Sequence, residues 1–304
     1  MMAMSRHIAT PDRPRPTILV FFDTAGVRTA GVVLVVLVLL ALAAPLLAPQ
    51  NPYDLRALEI LDARLPPGSK ASGTALIYWL GTDSQGRDIF SAILYGLRIS
   101  LTVGLLSTAL ASMLGISLGL LAGFQRGRID ALLMRVVDLQ LSFPPFLVAI
   151  MLLAVTGRGI DKIVIALVTA QWAYYARTAR STVLVEREKD YVSAARLLKL
   201  SSARIMFRHI LPNCASPLVV VAGVQVAAAI ILEATLSFLG VGLPVTRPSL
   251  GLLIANGFQY LIAGNYWLSL FPGLTLVVTV LVLNIMADRL RDILDPGRPV
   301  RGMI

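Results

Sequence analysis

One cysteine and two histidines are all the soft metal-ligating side chains in this 304-residue chain. Cys214 has no second cysteine with which to form an internal disulfide. His7 and His209 lie far apart, and no His or Cys pair has metal-ligand spacing, so no metal site is expected. Cys214 and His209 read as packing residues. Charge is scarce as well: Asp, Glu, Lys and Arg make up 14% of the chain, where a soluble domain carries about a quarter. A glycine-rich phosphate loop closing on Gly-Lys-Ser or Gly-Lys-Thr is missing, and the nearest stretch, GTDSQGRD, lacks the lysine. The chain is therefore expected to be no enzyme, to bind no cofactor directly, and to leave any nucleotide chemistry to another polypeptide.

Apolar residues are abundant. They make up 57% of the chain, with a mean hydropathy of +0.78, and they are concentrated in runs. A bilayer core of about 30 Å needs roughly 20 apolar residues per helix. Runs at 31–48, 101–124, 136–156, 163–176, 218–243 and 266–287 meet or approach that length. The fourth is the shortest, bounded by Lys162 and Arg177. These runs predict an all-α, polytopic membrane protein with six transmembrane helices. The first run follows a long basic tail and exceeds a usual signal-peptide core, so it reads as an uncleaved helix.

The net charge of +10 does not point to nucleic acid, because the basic residues collect in alternate loops, as the positive-inside rule requires. Arg6, Arg13, Arg15 and Arg28 precede the first run. Arg126, Arg128 and Arg135 follow the second. Arg177, Arg180, Arg187, Lys189, Arg196, Lys199, Arg204 and Arg208 lie between the fourth and fifth, and Arg289, Arg291, Arg298 and Arg301 follow the sixth. Both termini are then expected in the cytoplasm. Residues 1–28 form a cytoplasmic tail broken by Pro11, Pro14 and Pro16. The first span and an external, Pro- and Gly-rich segment occupy 29–95, five spans occupy 96–295, and a short tail occupies 296–304.

Gly115, Gly119 and Gly123 share one helix face, a spacing that lets helices approach closely in lipid. Pro144, Pro145 and Pro272 are expected to kink or interrupt their helices. Two acids lie in the spans. Asp138 is expected to reach the interface or pair with Arg135. Glu233, a costly charge in a span, is expected either in an ion pair with an arginine or on the transport pathway.

The stretch 177–212 is basic and helix-prone. Asp190 reads as an N-cap for a helix ending near Leu198, with a joint at Lys199 and a restart at Ser201 or Ser202. Its apolar side, Tyr191, Ala194, Ala195 and Leu198, suits packing against a soluble partner. Here the sequence resembles the EAA loop of ABC importer permeases. Ser193, Ala194 and Ala195 match the Glu-Ala-Ala triplet, Lys199 stands at the usual glycine, and Leu211-Pro212 closes the motif. The resemblance implies a coupling helix docking on an ATPase subunit. Ser193 completes a capping box with Asp190 poorly. Lys199 in a left-handed turn costs about 1 kcal/mol relative to glycine.

Residues 78–105 resemble the segment that opens the conserved region in C-type subunits of dipeptide, oligopeptide and nickel permeases. Gly81, Thr82, Asp83, Gly86, Arg87 and Asp88 fall at its pattern positions, and LSFLGVGLP at 236–244 and LRDILDP at 290–296 resemble the same subfamily. From the residues alone, Gly81 to Asp88 read as a tight external connector, with Asp83 or Asp88 able to cap a helix. Direct substrate contact is the alternative. The resemblance implies a type I, MetI-like permease in a bacterial inner membrane. Its implied partners are a homologous B-type permease, two ATPase subunits that use the ATP, and an extracytoplasmic substrate-binding protein. Peptides or nickel complexes are the implied cargo. The rival is an ion-gradient-driven secondary transporter, which needs charged relays that the span centres lack.

Overall fold

In hydrocarbon every backbone N–H and C=O must find its partner within the chain, so apolar runs of this length become helices. The computed structural model describes residues 21, 23–54, 58–73 and 75–294. The prolines and most arginines of the N-terminal tail, the closing Asp-Pro of LRDILDP, and Arg298 and Arg301 lie outside the described residues.

Helix α1 is Ala25–Leu42, followed by a single helical turn, Ala44–Leu47. The Pro- and Gly-rich segment that comes next then folds on itself. Strands β1, Ser69–Lys70, and β2, Ile77–Tyr78, pair antiparallel with Ser69 opposite Tyr78. Asp62 anchors them: its carboxylate accepts from Ser72 N and Oγ, the latter at 2.5 Å, and from Tyr78 Oη at 2.9 Å. Asp62 is buried, and burial pushes its carboxyl upward. The hydrogen bonds from Ser72 and Tyr78 outweigh that and hold it below the usual carboxylate range.

Helix α2 is Ile89–Gln125. It starts well before the apolar run at 101, so the connecting segment before it ends at Asp88 and not near residue 95. Asp88 caps the helix, its Oδ2 accepting from Ser91 N at 2.8 Å. Gly96 and Arg98 interrupt the apolar run without interrupting the helix. Helices α3, Gly127–Leu141, and α4, Pro145–Thr156, meet at a bend of 89°, because Pro144 and Pro145 cannot continue the hydrogen-bond ladder. Helix α5 is Ile160–Glu186 and runs ten residues past the predicted end of its span. Helix α6 is Asp190–Leu197, after which residues 202–213 form a helical return with a π-turn at Ile205–Ile210. Helix α7 is Ala215–Phe238. A buried short helix that the apolar runs did not reveal, α8, is Leu250–Phe258, and α9 is Trp267–Leu294, continuous through Pro272.

Four of these helices, α1, α2, α7 and α9, are long and apolar enough to cross a membrane, and the bent pair α3–α4 makes a fifth if counted as one span. The predicted fourth span is α5, long enough but polar beyond residue 176. The six-helix arrangement is compatible with this set. α2 and α5 pack backbone to backbone along the glycine stripe. A Cβ on Gly115 would strike the Trp172 carbonyl, one on Gly119 the Ala176 carbonyl, and one on Gly123 would lie 2.9 Å from Val183 Cβ. Large apolar side chains such as Met151, Val155, Leu274 and Val277 remain exposed, as a lipid- or subunit-facing surface requires.

Candidate functional site

The end of α5 is basic, and neighbouring helix ends hold it in place. Arg180 forms a two-pronged pair with Asp130 of α3, at 2.5 and 2.7 Å. Arg177 pairs with Asp138, which corrects the expected Asp138–Arg135 contact; the true partner sits on another helix. Arg187 Nη1 donates to the carbonyls of Gly123 and Phe124, at 3.1 and 2.5 Å, satisfying acceptors that the end of α2 leaves open.

From there the chain turns sharply into α6. Lys189, not Asp190, is the N-cap; it has extended backbone, and Asp190 is the first helical residue with no side-chain capping bond. Asp190 still places negative charge in the first turn, where the helix dipole favours it. The Tyr191 hydroxyl donates to Glu186 Oε1 at 2.7 Å and accepts from Asn213 Nδ2 at 3.3 Å. Burial, and then the Glu186 carboxylate accepting its proton, push the Tyr191 phenol up to about 12. Lys189 Nζ closes the group at 2.7 Å from Glu186 Oε2.

The helix ends in a left-handed turn. Lys199 has φ +54°, with Lys199 N bonded to Arg196 O at 2.9 Å and Leu200 N to Ala195 O at 3.2 Å. This is a Schellman closure with lysine where glycine is usual. Its strain is therefore present and tolerated. The chain restarts at Ser201, whose Oγ accepts from Arg204 N at 3.4 Å.

Which face of α6 points outward differs from the expectation. Val192 and Ala195 are buried against Ile205, Ile210, Cys214, Leu218 and Val183, and Tyr191 is half-buried. Ala195 and Tyr191 therefore belong to the chain's own core. The exposed side is Ser193, Ala194, Leu197 and Leu198, with Leu197 85% and Leu198 74% exposed. Sequence reasoning missed Val192 and Leu197; the spacing of Val192 and Ala195, three residues apart, was the available signal. Leu211 packs partly beneath α6, and Pro212 is exposed on the return. Cys214 is fully buried there, and burial pushes its thiol up to about 11, as suits an inert packing residue.

The other two groups of candidate residues lie towards the opposite end of α2. Gly81 and Gly86 have φ of +82° and +78°, and Thr82, Asp83, Arg87 and Asp88 are all buried. Arg87 Nη2 donates to Val245 O at 3.0 Å, and its Nε lies 3.7 Å from Asp83 Oδ2. These side chains build a connector that fastens the segment before α2 to loop 244–247. Glu233 is fully buried in α7. Its carboxylate accepts from Ser100 Oγ at 2.9 Å and Ser237 Oγ at 2.7 Å, with Ser249 also in reach. No ion pair to Glu233 occurs among the described residues; serines take the place of the expected arginine.

Three comparisons place this architecture among known proteins. Residues 115–298 match the family described as binding-protein-dependent transport system inner membrane component. A putative peptide transport system permease protein of Brucella suis is 41% identical over 275 residues, covering 90% of this chain and 89% of that protein. The di/tripeptide transport system permease protein DppC of Pseudomonas aeruginosa is 39% identical over 276 residues, covering 91% and 89%. A chain of the MetNI methionine ABC transporter, solved in inward-facing conformations, shares the fold with a TM-score of 0.56 at 18% identity, covering 67% of this chain and 97% of that one. This chain, an all-α membrane permease of the type I ABC importer fold, belongs to the family of binding-protein-dependent transport system inner membrane components.

Proposed function

We propose that this chain forms half of the translocation pathway of an ATP-driven importer for di- and oligopeptides in a bacterial inner membrane. A homologous permease completes the pathway, two separate ATPase subunits bind at the basic end, and an external binding protein delivers cargo at the other. Both termini then lie in the cytoplasm. The single observation that carries this reading is α6. It is a short helix braced to α5 by Tyr191, closed by the Lys199 turn, and presenting Ala194, Leu197 and Leu198 to a partner. The peptide cargo is supported by the names of relatives that match this chain along most of its length.

The mechanism follows from rigidity. Closure of the ATPase dimer on ATP would draw the two α6 elbows together. Because α5 is continuous and locked to α2 along the glycine stripe, the displacement would reach the far end of the bundle as a tilt. ATP-bound and nucleotide-free motors then favour different permease states, which is alternating access. Reconstituted vesicles test this. Peptide uptake should require ATP and the ATPase subunits on the α6 side. Uptake driven by a proton gradient alone would reject the proposal.

A further inference from the structure

At the end of α2 remote from α6, three adjoining cavities share walls. One, of about 520 Å³, is lined by Tyr53, Ile160, Thr246 and Arg247. A second, of about 190 Å³, shares Tyr53 and Ile160 and adds Tyr95 and Arg98. A third, of about 730 Å³, shares Ile160 and Arg247 and is walled mainly by apolar side chains, among them Leu106, Val164 and Pro244. We propose that this cleft binds the C-terminal carboxylate of the cargo peptide, with Arg98 and Arg247 as the anion-binding groups and the apolar walls receiving its side chains. The proposal rests on the peptide-permease reading above.

Several arginines are matched by an acid: Arg126 with Glu188, Arg177 with Asp138, Arg180 with Asp130, Arg87 with Asp83. Arg98 and Arg247 are exposed, and among the described residues neither guanidinium has an ion pair or a side-chain hydrogen bond. Arg98 and Arg247 line adjoining cavities that share Tyr53 and Ile160, and a carboxylate bound there would offset both positive charges while accepting their donors. Asp161, the acid on the wall of the third cavity, is held by Lys162 at 3.2 Å and does not neutralise them.

Position is also fixed. The Tyr53 and Tyr95 rings stand edge to face, 4.9 Å between centroids, and form one wall. Arg87, through Val245, ties down the loop that carries Arg247. Burial raises the Tyr53 phenol, while Arg247 and then Arg98 oppose it, so both guanidiniums act on one point of the cleft. A partly open cleft with apolar walls in its larger part and a few polar groups suits a small ligand better than a flat protein surface. That separates a cargo carboxylate from an acidic side chain of the docked binding protein.

The test uses the complete transporter in liposomes, with the binding protein saturated either by a dipeptide or by the same dipeptide with an amidated C-terminus. The variants are R98Q, R247Q and the charge-retaining R98K, with assembly checked by co-purification of the ATPase subunits. Each Gln variant should lower the preference for the free carboxylate by about tenfold, as expected for losing one charge-assisted hydrogen bond, and R98K should restore part of it. Preferences equal to wild type in both Gln variants would overturn the site. So would equal loss of both cargoes with weakened docking of the binding protein, which would make the arginines a protein-docking surface. A wild-type complex that moves no peptide overturns the functional reading, and the site with it.

Discussion

The Tyr191 hydroxyl and Glu186 Oε1 lie 2.7 Å apart, and that hydrogen bond joins the first turn of α6 to the last residue of α5. Removing it by Tyr191→Phe leaves Asn213 without its hydroxyl acceptor and Glu186 with Lys189 alone. A bond to a charged group is worth about 2 kcal/mol. The variant should unfold at a lower temperature in detergent, and ATP hydrolysis by its complex should drive less peptide uptake per ATP. Unchanged coupling would show that the brace does not transmit force.

Lys199 occupies a left-handed turn that glycine enters freely. Lys199→Gly relieves about 1 kcal/mol of strain, but glycine also gains freedom in the unfolded chain, so the net gain is a fraction of that. The predicted outcome is a small rise in melting temperature with transport retained, whereas Lys199→Val should destabilise by more than 1 kcal/mol. Melting curves of the three proteins decide the order.

Gly119 faces the Ala176 carbonyl across the α2–α5 interface, while Gly273 has open space where a Cβ would stand. Gly119→Ala should therefore force the helices apart and cost about 1–3 kcal/mol, and Gly273→Ala should not. Equal thermal stability of the two variants would contradict the close packing described above.

The β1–β2 hairpin should be acid-sensitive. The Asp62 carboxyl is held below its ordinary value, so its stabilising contribution is complete above about pH 4 and is lost as pH falls through the lowered folded value. An acid-active protease such as pepsin should cut the hairpin well below pH 4 and spare it near pH 5. Asp62→Ala should be cut already near pH 5, as followed by limited proteolysis.

Much of this was legible in the sequence, where the signal was local. Hydrophobic runs located the long helices, Pro144 and Pro145 the break, and the glycine spacing the close-packing face of α2, though not its partner α5. The position of Lys199 within a recognised pattern gave the turn. What needed the structure was non-local. Arg177, 39 residues beyond Asp138, displaced the expected Arg135, and Ser100, 133 residues from Glu233, took the role expected of an arginine. The cap slid from Asp190 to Lys189, whose extended backbone immediately precedes the first helical residue, Asp190. Which side of α6 faces outward could not be read without the return at 202–213, which covers Val192 and Ala195. Helix α8 was too short to register as a span, although Ser249 caps it in the expected manner.

The account turns on the exposed tip of α6 meeting a separate motor. Cys214 is the chain's lone cysteine and is fully buried, so a single cysteine placed at Leu197 or Ala194 reports on its own surroundings. In the assembled transporter, each should form a crosslink to a cysteine in the ATPase groove, and ATP should change the yield. An assembled, transport-active complex in which neither position crosslinks to the ATPase, or in which both are labelled only from the side opposite ATP, would contradict the account.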